Sequence, residues 1–170
     1  GLGSRFPREQ FKKIKPLIEI NSVPMIIRCV KSLDLNGNYL FVIRKDEFSS
    51  ELKSIIKSIQ KNTEVIEIDY KTSGPASTAL LFSDVIDSSE ELVIANCDQI
   101  MQWNSKNFLH NVRQYDGAIV TYHATTNKNS YARLNKFGEV IEIKEKEVIS
   151  TTSLNGIHYW KRGFDFVRSA

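Results

Sequence analysis

Two cysteines in 170 residues leave no material for a disulfide framework. Cys29 and Cys97 lie far apart in apolar runs, and the sequence predicts two buried thiols in a reducing compartment. No Cys or His stands at ligand spacing from either, which argues against a thiolate metal centre. His110, His123 and His158 are isolated and read as structural or surface residues. No apolar run approaches the ~18 residues of a membrane span, and no signal peptide is visible, so the chain reads as cytoplasmic with no membrane partner. A net charge of +3 is too small to argue for nucleic acid. Repeats, low-complexity tracts and an interdomain linker are also absent. What remains is an ordinary soluble composition, sized for one domain with a real core.

The most informative stretch comes first, GLGSRFPREQFKKIKPL. Gly1 and Gly3 are followed by Ser4 and Arg5, and ten residues on by Lys15-Pro16-Leu17. Residues 1–15 hold Arg5, Arg8, Lys12, Lys13 and Lys15 against Glu9 alone, a local charge of +4. A glycine turn lets backbone N–H groups approach phosphate oxygens, and spaced cations neutralise them. The same residues also suit a plain turn and a solvated basic face.

Downstream, periodicity predicts alternating strands and helices. LIEI (17–20) reads as extended, and Asn21 to Pro24 opens a helix ending near Leu33. Tyr39–Ile43 is an apolar run suited to a strand buried on both faces. A helix over Phe48–Lys61, an alternating strand Thr63–Ile68 and a helix over 75–86 follow. Then come a strand at Leu92–Ala95, a helix near Lys106–Gln114 and a strand at Ala118–His123. The second half changes character. Tyr131–Asn135 and Glu139–Lys144 flank a turn and predict a hairpin, before a strand at Gly156–Trp160 and a helix at Gly163–Ser169. The expectation is an α/β domain: an open, mostly parallel sheet of Rossmann-like type, with a small antiparallel hairpin in the C-terminal half. A phosphate-binding glycine turn normally follows a buried strand. The chain begins at Gly1, so the first strand is expected to be missing, and both ends to belong to a longer protein.

Other phosphate chemistries fit less well. A Walker loop needs a terminal Gly-Lys-Ser/Thr, and there is none. Dinucleotide binding wants a third glycine where Phe6 stands, and an acidic residue after the second strand.

The ordered set of motifs resembles the nucleotidyltransferase family that includes the sugar-1-phosphate nucleotidylyltransferases. Gly1-Leu2-Gly3-Ser4-Arg5-Phe6 followed by Lys15-Pro16-Leu17 is similar to its G-x-G-[ST]-R-[LF] … K-P-L signature. Gly74-Pro75-Ala76-Ser77-Thr78-Ala79 resembles its base-binding segment, and Leu92 to Asp98 its strand leading to a metal-binding aspartate. Glu145-Lys146 and Gly156-Ile157-His158-Tyr159 resemble its sugar-side elements. The chain departs from the pattern at Ile14, where many members have Pro, and holds no convincing second metal-binding aspartate.

The resemblance implies the GT-A-like nucleotide-diphospho-sugar transferase fold. It implies a phosphomonoester attacking the α-phosphate of a nucleoside triphosphate and releasing pyrophosphate. Arg5 and the amides of Leu2, Gly3 and Ser4 would hold the β- and γ-phosphates. Lys15 would serve the α-phosphate and the attacking phosphate, and Asp98 would hold Mg²⁺. Gly74, Ser77 and Thr78 would meet the base, a pyrimidine by preference; helix capping is their plainer role. Glu145, Lys146 and Gly156 would face the phosphorylated acceptor. The plainer roles are a solvated charge run for the first two and a strand bulge for Gly156. A homo-oligomer is left open. Two other readings stand beside this one. A metal-dependent glycosyltransferase of related fold would want an Asp-x-Asp motif where Asn96-Cys97-Asp98 stands. A non-catalytic nucleotide-binding module would have lost the chemistry but kept the cradle.

Overall fold

The structure is a computed structural model that describes residues 12–60 and 62–170. Lys15–Leu17 form a single 3₁₀ turn with Pro16 in its first positions, where the missing N–H costs nothing. Two short strands, β1 (Glu19–Ile20) and β2 (Val23–Pro24), pair antiparallel across Asn21 and Ser22. Both turn residues have positive φ, 49° and 60°, as a two-residue hairpin turn requires. Arg28 fixes this turn from the following helix, donating from Nε to the Ile20 carbonyl at 2.7 Å. The expected extended piece at 17–20 is therefore a 3₁₀ turn plus half of a tight hairpin.

Helix α1 (Met25–Leu33) buries Met25, Ile26, Cys29 and Val30 on one face. Strand β3 (Tyr39–Arg44), helix α2 (Ser49–Ile59) and strand β4 (Thr63–Ile68) follow, with β3 and β4 paired parallel and in register from Tyr39↔Thr63 to Arg44↔Ile68. The pair is sandwiched. Tyr39, Phe41, Ile43 and Val65 face a core of Leu17, Ile26, Val30, Leu52 and Ile56. Leu40, Val42 and Ile66 face the opposite way, onto Phe82, Ile86 and Phe166. Successive strand residues thus serve two cores, the period-two consequence of helices on both faces.

The predicted helix over 75–86 is three pieces: α3 (Pro75–Ala79), a 3₁₀ turn (Leu80–Phe82) and α4 (Ser83–Ile86). Strand β5 (Leu92–Ile94), helix α5 (Ser105–Val112) and strand β6 (Gly117–His123) continue the alternation. Strands β7 (Ser130–Leu134) and β8 (Val140–Glu145) form the predicted hairpin, and β9 (Thr152–Trp160) leads to α6 (Gly163–Ser169).

The sheet is less parallel than the strand–helix order predicts. Among the described residues only β3–β4 pair parallel; β9 pairs antiparallel with β5, β6 and β7. Strands β5 and β6 run the same way, as their helical crossover predicts. The late strand β9 enters between them, with Leu92 and Gly117 both opposite Trp160. Strand β9 is consequently well enclosed, and Ser153, Ile157 and Tyr159 are fully buried. No helix among the described residues is long and apolar enough to cross a membrane.

Candidate functional site

The residues that converge lie at the exit of β5. After Ile94 the chain runs through Ala95, Asn96 and Cys97 to Asp98, beyond the C-terminal end of the strand. Open α/β sheets place their ligands there. The loop that follows is tied down on two sides. Gln99 donates from its side-chain amide to the Asn155 carbonyl of β9. On the other side the Met101 N–H donates to Ser32 Oγ (2.9 Å), Trp103 Nε1–H to the Ser32 carbonyl (3.0 Å) and Ser105 Oγ to Asp34 (2.9 Å). The last carbonyls of α1 are thereby capped by the loop that carries Asp98. Trp103 also packs on Phe108, with ring centroids 4.7 Å apart.

Into this loop reaches Lys15. Its ammonium forms an ion pair with Asp98 Oδ2, joining the 3₁₀ turn to the β5 exit. Both side chains are about 30% exposed, so the pair is accessible to solvent. Pro16 and the buried Leu17 anchor the lysine's backbone, and the Leu17 N–H donates to the Ile14 carbonyl at 2.9 Å. Lys15 and Asp98 are thus brought together by the fold.

Gly156 stands against the same loop from β9. Its φ is +91°, and a Cβ there would collide with Asn96 Nδ2. The β6–β9 register also shifts between Ile119 and Thr121, opposite this part of β9. Gly156 therefore does mark a bulge, the plainer of its two expected roles, and that bulge lets Asn96 pack against the strand two residues before Asp98. Asn155 continues the contact, with its Nδ2 3.8 Å from Met101 Sδ. Gln99 Oε1 is buried and has no hydrogen-bond partner among the described residues. Asn155 and Gln99 carry no motif signal of their own. Their only signal is adjacency to Gly156 and Asp98.

The Gly74–Thr78 segment forms the first turn of α3. Gly74 is fully extended, and no described residue stands within 4 Å of where its Cβ would be. Ser77 is not a helix cap; its Oγ lies 2.5 Å from Ser73 Oγ. Thr78 Oγ1 donates to the Gly74 carbonyl at 3.0 Å and lies 2.6 Å from Thr72 Oγ1. Thr72 and Thr78 border a small cleft with Ile43, Arg44 and Ile68, at the C-terminal ends of the parallel pair β3–β4. A larger, mainly apolar cleft of about 340 Å³ lies between Pro75, Ala76, Ile94, His158, Trp160 and Phe166.

Glu145 and Lys146 close β8. They pair with each other at 3.0 Å, both at least 70% exposed, and Lys146 takes a left-handed φ of 58°. This is the solvated charge run that was their plainer expectation. Leu2, Gly3, Ser4 and Arg5 lie outside the described residues. One thiol differs from expectation. Cys29 is buried, and burial pushes its pKa up to about 11. Cys97 is exposed, because it lies past the end of β5 on the loop to Asp98.

Among the described residues no cluster of three His, Cys, Asp or Glu side chains is arranged to hold a metal. Asp98 offers one carboxylate. That donor set fits Mg²⁺ in the mode where one carboxylate, waters and substrate phosphates share the ion, and does not fit an all-protein cage.

No protein-family model and no curated protein sequence matches the chain. Solved structures do match its fold. A nucleoside-diphosphate-sugar pyrophosphorylase from Vibrio cholerae superposes over 99% of this chain and 73% of its own, with a TM-score of 0.80 at 19% identity. A glucose-1-phosphate thymidylyltransferase from Bacillus anthracis gives 99%, 71%, 0.81 and 20%. A UDP-glucose pyrophosphorylase complexed with UDP-glucose gives 99%, 82%, 0.77 and 14%. The chain has the fold of the sugar-phosphate nucleotidyltransferases.

Proposed function

We propose that the protein transfers a nucleotidyl group from a nucleoside triphosphate to a sugar phosphate or another small phosphomonoester, for nucleotide-activated precursors of surface polysaccharide. The observation that carries the reading is the Lys15–Asp98 pair at the β5 exit. Lys15, which the motifs single out for the reacting phosphates, and Asp98, which they single out for the metal, come from separate motifs and meet at one point on a fold shared with pyrophosphorylases.

In this reading an acceptor phosphate oxygen attacks the α-phosphorus, the bond from that phosphorus to the β-bridging oxygen breaks, and pyrophosphate leaves. No protein nucleophile is needed, so the residues orient and neutralise. Lys15 exchanges Asp98 for phosphate oxygens when substrate arrives, holding attacking and α-phosphates together. Arg5 and the 2–4 amides hold the leaving pyrophosphate. Asp98 would hold Mg²⁺, which would supply charge neutralisation at the phosphates when bound. The Gly74 backbone receives the base, a pyrimidine by preference, with Ser77 beside it. Gly156 keeps the β9 side of the Asp98 loop close-packed. Glu145 and Lys146 stand at the acceptor's outer rim.

The test is pyrophosphate release, measured by coupled phosphate detection with a panel of triphosphates and phosphorylated acceptors in the presence of Mg²⁺. Acceptor-dependent release that Lys15→Ala abolishes supports the reading. Transfer from a nucleotide sugar without pyrophosphate would assign the glycosyltransferase reading instead.

A further inference from the structure

We propose that two copies of this chain associate through the edge of β8, in antiparallel pairing about a two-fold axis at Ile143. Strand β8 ends the five-stranded sheet: it pairs with β7, and no described strand lies on its other side. It is also where the exposed apolar side chains concentrate. Leu134, Phe137, Val140, Ile141 and Ile143 all lie in this one hairpin, with Phe137 75% and Ile141 61% exposed. A strand edge with apolar side chains is a template for another strand.

The backbone fixes which residues present that edge. The Lys146 N–H donates to the Asn129 carbonyl at 2.9 Å, toward β7. Directions alternate along an antiparallel strand, so Lys144 and Glu142 also point their N–H and C=O toward β7. Ile143 and Glu145 point theirs to the open edge. A two-fold centred on Ile143 lets the two Ile143 residues exchange both backbone hydrogen bonds.

Charge then selects the register. Centring on Ile143 sets Glu142 of each copy opposite Lys144 of the other, in a position where cross-strand side chains come closest. Centring on Glu142, Lys144 or Glu145 instead sets like charges face to face. Within one copy Glu142 lies 2.9 Å from Arg133 and 3.9 Å from Lys144, so the Lys144 of the second copy would be a third cation beside it. The pairing is short, because Arg133↔Glu142 is followed by Leu134↔Val140 and Ile141 is left as the extra residue of a bulge. A short ladder with few apolar contacts gives a concentration-dependent dimer. The inference stands independently of the catalytic reading.

The experiment is sedimentation velocity on the full chain across a concentration series. Wild type should move from monomer to twice the monomer mass. Glu142→Lys alone and Lys144→Glu alone should each stay monomeric, since each homodimer then opposes like charges. Mixing the two variants one to one should restore the dimer, because the edge of the first carries two lysines at these positions and the edge of the second two glutamates. That recovery also shows that both variants are folded. A wild type that is monomeric throughout, a dimer that persists in both single variants, or a mixture that stays monomeric overturns the proposal.

Discussion

Lys15 and Asp98 are 83 positions apart in the chain and form one ion pair. The lysine comes from a 3₁₀ turn fixed by Pro16 and Leu17, the aspartate from a loop bolted to α1 and β9. In the proposed reaction, phosphate and cation would displace this pairing. Being partly exposed, the pair contributes little to stability, within the ~0–1 kcal/mol of surface ion pairs.

Lys15→Ala and Asp98→Asn should therefore leave the far-ultraviolet circular dichroism and the melting temperature close to wild type while turnover falls. Loss of one preorganised charge at a reacting phosphate is expected to cost about 10²–10³ in kcat. Side-by-side melting and rate measurements check this, and a large melting shift would recast either residue as structural.

Turnover should vanish on chelation and return with Mg²⁺. Asp98→Asn should raise the Mg²⁺ concentration needed for half-maximal rate, since the ion loses its protein carboxylate. A metal titration of both proteins reads this out, and identical titration curves would remove Asp98 from the metal site.

Gly156→Ala meets two obstacles, a φ of +91° and the Asn96 amide in the path of the new methyl. A loss of about 1–3 kcal/mol is expected, read as a lowered denaturation midpoint. Adding Asn96→Ala should recover the steric part and leave the backbone part. Gly163→Ala should be worse, because its Cβ would run into the Ile86 carbonyl oxygen, a backbone atom that cannot swing away.

Stability should fall in two steps on acidification. Burial holds the His158 pKa below its ordinary 6.5. The unfolded chain then takes up that proton first, and stability declines as pH drops below 6.5 until the folded imidazole also titrates. Hydrogen bonds from Arg113 and Tyr159 hold Glu91 below its ordinary 4.5. Its contribution is present above 4.5 and is lost as pH falls through the lower folded value. Denaturation midpoints across pH should show His158→Gln flattening only the upper step. Tyr159 is pushed up to about 12 by burial and its bond to Glu91, so it stays a neutral donor throughout this range.

Much of this architecture is written locally. Thr63–Ile68 alternates and is a strand over those bounds, and Gly163–Ser169 is a helix over those bounds. What was not legible depends on contacts distant in sequence. The Asn21-Ser22 hairpin rests on two positive φ values and on Arg28 from the next helix. The helix over 75–86 breaks at Leu80–Phe82, where Phe82 turns into the core. Strand order alone suggests a mostly parallel sheet, because nothing local announces that β9 will enter between β5 and β6. At the site, Lys15, Asp98 and Gly156 were legible as motif residues. The loop anchors Gln99, Asn155 and Ser32 were not, since an amide or hydroxyl acquires its role only from the carbonyls and N–H groups the fold sets beside it.

The central claim is that Lys15 and Asp98 serve phosphoryl chemistry with pyrophosphate as the leaving group. Its most direct test is initial-rate pyrophosphate release by wild type and Lys15→Ala, with Mg²⁺, a nucleoside triphosphate and a sugar phosphate, each also omitted in turn. Release should require all three components and fall by at least about 10²-fold in Lys15→Ala. Release that persists without the phosphorylated acceptor, or that is unchanged by removing the lysine, would contradict it.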